Sequence, residues 1–135
     1  MTERSLVDIG DVRDLYGLLS AIAEVFSGSD SLLCLESVGF ASEIEAFLQA
    51  HAVSDPPDIG RETIWPLSRL HCLSCKGGVV GQFARLAGSS FAKPEVCDHL
   101  SVVRSGRKLL VAPDAGFGHV LVDSYYADQL TRKLH

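Results

Sequence analysis

Four residues, Cys72-Leu73-Ser74-Cys75, carry the sharpest chemical pattern in the chain. Two thiols at this spacing can work as a dithiol when they open a helix, because the helix amides favour a thiolate and the second sulfur lies near enough to close a disulfide. Lys76 would favour the thiolate further. No strand–helix–strand unit precedes the pair, however, and Gly77-Gly78 make a poor helix start. The competing reading is two small thiols packed as hydrophobes.

A metal reading gathers His71, Cys72, Cys75, Cys97 and His99. Thiolate and imidazole are the ligands tetrahedral zinc prefers. On a strand, Cys97 and His99 would point the same way, since side chains alternate with period two. Against this, Cys-x-His lies outside the usual zinc spacing, and His71 directly abuts Cys72. The expectation is four reduced cysteines with no metal joining them, and no cofactor. A hydrolytic reading takes His99, Asp114 and His119, spread along one stretch that could bring them to a common edge. It needs an activated nucleophile with a base in reach. No serine sits in a GxSxG elbow. Asp114 in a glycine-rich turn has a purely structural explanation.

Phosphate binding finds little support. Gly116-Phe117-Gly118 is too short for a dinucleotide fingerprint, and Cys75-Lys76-Gly77-Gly78 is not a P-loop. Arg104, Arg107 and Lys108 form a small basic group at a turn, best read as a solvated tip; docking of an acidic partner is the minority reading.

The elements that must hold these residues follow from periodicity. Val12, Leu15, Tyr16, Leu19, Ile22, Ala23 and Phe26 recur at three- and four-residue steps and predict a helix from near Asp11, stopped by Ser27-Gly28-Ser29-Asp30. The run 31–36 reads as a buried strand. A second helix is expected over about 41–51, with Phe40, Ile44, Phe47 and Leu48 on its apolar face. Pro56-Pro57 forbid helix and mark an internal loop. Residues 62–67 read as a short extended piece in which Pro66 holds Trp65 out of helix. Residues 69–73 read as another short strand. Helix resumes over about 79–86, weakened by glycines that each cost about 1 kcal/mol relative to alanine.

The last third carries the clearest strand pattern. Residues 100–104 and 107–111 flank Ser105-Gly106, a two-residue hairpin turn. With Arg104 opposite Arg107, Val102 should face Leu109, and Leu100 should face Val111. The other face would then carry Ser101, Val103, Lys108 and Leu110. A third strand over 119–122 and a final helix after Asp123-Ser124 complete the order. Residues about 99–122 should thus form a three-strand antiparallel meander. The fold class is α+β, with an antiparallel sheet of about four strands and helices mainly on one face.

Composition bounds what such a domain does. The 135 residues suit one globular domain over 1–135. Hydrophobic residues make up 47% and charged residues 21%, which excludes a wholly disordered or fibrous chain. A net charge of −5 argues against a general nucleic-acid binder. No basic start leads into an apolar run, and no apolar stretch approaches the length of a membrane span, so a cytosolic protein is expected, without membrane partners. The leading reading is a non-catalytic interaction or regulatory module that binds itself or another protein. Val103, Leu110 and Val120 would sit on a second, apolar sheet face buried in a homodimer. A thiol-redox or zinc protein on Cys72 and Cys75 with Cys97 and His99 is the alternative, and a small hydrolase on His99, Asp114 and His119 the third.

Overall fold

The architecture comes from a computed structural model, which describes residues 5–54 and 68–135. The double-proline loop and the extended piece around Trp65 lie outside the described residues. The elements run β1 (Leu6–Asp8), α1 (Leu15–Val25), β2 (Leu32–Ser37), α2 (Ser42–His51), β3 (Arg69–Ser74), α3 (Val79–Ser90), α4 (Lys93–Val96), β4 (His99–Arg104), β5 (Arg107–Ala112), β6 (Leu121–Asp123) and α5 (Ser124–Leu134). A 3-10 turn, Pro113–Gly116, links β5 to β6.

The fold is α+β, and its sheet is antiparallel throughout, with six strands in the order β1-β6-β5-β4-β2-β3. The expected four strands undercount it. The meander β4-β5-β6 is present. β3 adds to one side through β2, and β1 closes the other. β1 is a three-residue strand whose partner lies more than a hundred residues away, so no local pattern announces it.

Register places every side chain on one of two faces. One row crosses all six strands as Val7, Val122, Leu110, Val102, Leu33 and Leu73. Apart from the exposed Val7, this row packs into the main core. Leu18, Leu19 and Ile22 of α1, Ile44 and Leu48 of α2, Val80 and Phe83 of α3, and Tyr126 and Leu130 of α5 join the same core. The four long helices therefore cover this face. The neighbouring row, Asp8, Leu121, Val111, Ser101, Cys34 and Cys72, belongs to the second face.

Two glycine-containing turns shape the connections. Gly77 and Gly78 have φ of 81° and 79°, left-handed values that turn the chain from β3 into α3 at little steric cost. In the hairpin, Ser105 and Gly106 have φ of 53° and 75°, as a type I′ turn demands, and Arg104 opposes Arg107 as expected. Beyond that pair the expected register fails. A bulge between Val102 and Val103 places Val102 opposite Leu110 and Leu100 opposite Ala112. The extra residue lets both Leu109 and Leu110 bury in the main core.

Candidate functional site

The residues singled out for hydrolysis converge only in part. His99 opens β4, and Asp114 lies in the 3-10 turn above it. The Asp114 backbone N–H donates to His99 Nδ1 at 2.9 Å. That bond leaves the proton of the neutral ring on Nε2. The contact is to the Asp114 amide and not to its carboxylate, so it is not an acid–histidine dyad. Lys93, Pro94, Cys97, Asp98, His99, Asp114 and Ala115 line a cleft of about 250 Å³. His119 is exposed and does not line it.

The cleft wall is strained. Asp114 and Ala115, neither of them glycine, have φ of 52° and 55°. Gly116 follows at 95°, and its carbonyl accepts the Val12 N–H at 2.9 Å. Asp98 Oδ2 accepts the Val38 N–H at 3.1 Å, so that carboxylate serves the β2–α2 connection. Lys93 Nζ donates to the Val12 carbonyl at 3.2 Å, and desolvation pulls its ammonium below the ordinary lysine value. Cys97 is buried, and that burial, with Asp98 adding to it, pushes its thiol up to about 12. At neutral pH it is therefore a protonated packing residue and not a nucleophile. The cleft holds cationic, carboxylate and imidazole groups, most of them tied to backbone.

The cysteines part company at the end of β3. Cys72 lies on the second sheet face, whereas Cys75, past the strand end, packs into the main core. The Cys75 amide donates to the Ser31 carbonyl at 3.0 Å, and burial pushes its thiol up to about 12. Lys76 does not favour a Cys75 thiolate; it pairs with Asp30 on the surface at 2.5 Å. Cys97 belongs to the main core beside α4. All four cysteines are free thiols. His71 points to the helix side, where Nε2 lies 3.3 Å from Glu45 Oε1 and its ring packs on Phe40. Among the described residues, no three His, Cys, Asp or Glu side chains form a group that could hold a metal, so the set His71, Cys72, Cys75, Cys97 and His99 is dispersed.

The thiol pair that does form was not visible in the sequence pattern. Cys72 stands directly opposite Cys34 of β2, and both are 0% exposed. Val103 joins them, flanked by Leu32, Val53 and Leu70. The facing Cys72 thiol and burial raise the Cys34 thiol, while the facing Cys34 thiol lowers Cys72.

The residues expected on an intermolecular face are distributed differently. Val103 does lie on the second face, but in this buried cluster. Leu110 and Val120 are fully buried in the helix-side core of their own chain. The bulge is the reason for Leu110, since it shifts that side chain from one face to the other. The basic tip is also partly used internally: Arg107 pairs with Asp123, which is 1% exposed and accepts the Tyr125 N–H at 2.9 Å as the cap of α5.

No helix among the described residues is long and apolar enough to cross a membrane. Comparison with known protein families, with curated proteins and with solved structures finds no match to this chain.

Proposed function

We propose that this chain is a non-catalytic protein-interaction module that pairs with a second copy of itself through the outer edge of β1. The observation that carries the reading is β1 itself, an exposed end strand with no further strand beside it among the described residues. Ile9 donates to Val120, and Ser124 donates to Ser5, so Val7 and Val122 are the hydrogen-bonded pair between β1 and β6. Leu6 and Asp8 then direct their N–H and C=O groups outward. Such a row is a ready template for another strand. Leu6 and Val7 are 40% and 41% exposed. An antiparallel copy of β1 would satisfy the outward groups and cover these side chains.

A strand this short makes a small interface, so the dimer depends on concentration. Sedimentation over a wide concentration range tests it. Val7→Asp places two carboxylates at the two-fold axis and should return the protein to monomer with its melting temperature nearly unchanged. A wild-type protein that stays monomeric at the highest concentration, or a dimer indifferent to Val7→Asp, would overturn the proposal. The cytosol is the compartment we propose, on the strength of four free thiols, the state a reducing compartment maintains.

A further inference from the structure

We propose that Cys34 and Cys72 are an oxidant-responsive site, forming a reversible disulfide across β2 and β3 when the protein meets hydrogen peroxide. The register makes this pair special. Cys75 and Ser31 are hydrogen-bonded across the two strands, and alternation along an antiparallel ladder makes Cys34 and Cys72 a pair without mutual backbone bonds. The Cys72 carbonyl confirms the parity, because it turns outward to accept the Val53 N–H at 2.8 Å. Opposed residues of this kind approach to about 4.5 Å between Cα atoms. A disulfide spans about 4.4–6.8 Å between Cα atoms, so the bond can close without separating the strands.

The two side chains face each other across the ladder in one buried cluster with Val103. Lys108, on the same face, adds a positive charge that opposes the rise of the Cys34 thiol and eases the loss of its proton. Both cysteines are fully buried, which selects for a small uncharged oxidant over a bulky disulfide reagent. Hydrogen peroxide fits that description. The Cys72 thiolate attacks one peroxide oxygen; the S–O bond forms, the O–O bond breaks, and the departing hydroxide takes a proton to become water. Cys34 gives up its proton and attacks the Cys72 sulfur; the S–S bond forms, and the S–O bond breaks to release a second water. Two thiols lose two electrons, and one peroxide gains them. The product staples the edge strand β3 to β2 and encloses α2 in the covalent loop.

The test treats the folded 135-residue chain with hydrogen peroxide, removes the peroxide, unfolds the protein in N-ethylmaleimide to block the remaining thiols and maps the peptides by mass spectrometry. The expected product joins the Cys34 and Cys72 peptides, has lost two hydrogens, melts at a higher temperature and reverts with dithiothreitol. Cys34→Ser should leave Cys72 as a sulfenic acid that dimedone captures when the oxidised protein is unfolded in its presence. A bond between Cys72 and Cys75 would overturn the proposal. So would a Cys34–Cys72 bond that forms only after unfolding, or a native protein whose four thiols all survive peroxide. The wild-type peptide map decides the matter even where a cysteine variant fails to fold.

Discussion

Gly116 is held by two constraints at once. Its φ is 95°, and a Cβ placed on it would meet the Val12 carbonyl oxygen at 2.7 Å. That carbon would press on backbone, which cannot move aside as a side-chain tip can. Gly10 shares the left-handed conformation, with φ of 97°, but has open space around it. Gly116→Ala should therefore cost about 2–4 kcal/mol and Gly10→Ala only about 1 kcal/mol, as read by urea denaturation. The buried thiols support a second prediction. Cys75 and Cys97 are raised from 9.0 to about 12 by burial, so the folded chain keeps protons that the unfolded chain loses as pH climbs. The stability they support is present below pH 9 and is lost as pH rises towards 12. Denaturation midpoints should fall more steeply with alkali in the wild type than in Cys97→Ala.

Among the elements, β5 and α5 depend on pairings that a single substitution exposes. Leu110 is wholly buried because the bulge turns it towards the helices. Leu110→Asp would place a carboxylate in that apolar core, and circular dichroism should show an unfolded or molten chain. Lys108→Ala, on a partly exposed side chain, should leave the fold intact. The start of α5 rests on Asp123, which caps the helix through the Tyr125 amide and holds Arg107 from the neighbouring strand. Asp123→Ala removes both and should lower stability by about 1–3 kcal/mol. Asp123→Asn keeps a capping oxygen and should recover part of that loss.

For the whole molecule, charge decides how copies approach. Each carries a net charge of −5, so two copies repel at low salt. The proposed β1 contact is built from backbone hydrogen bonds and apolar side chains, which salt weakens little. Raising the salt from about 0.05 M to about 0.5 M shortens the screening length several-fold and should tighten the dimer. Sedimentation equilibrium would show it. Dissociation on adding salt would point to an interface of opposite charges and away from β1.

The sequence alone determined what short-range patterns can encode. The helices α1, α2 and α5 show as apolar stripes, because side chains three and four apart share a helix face. The β4–β5 hairpin shows because Ser105-Gly106 and both strands lie within a dozen residues. The α+β class follows from the order of these elements. Tertiary structure alone decided the sheet's full width, since β1 and its partner β6 stand at opposite ends of the chain. It also decided which cysteines meet. Cys72 and Cys75 are neighbours in sequence but divide between the second sheet face and the main core, whereas Cys34 reaches Cys72 only after α2 has folded back and the two strands have taken register. One bulged residue then moved Leu110 to the other face, because a strand's side chains alternate and any one-residue shift exchanges inside for outside.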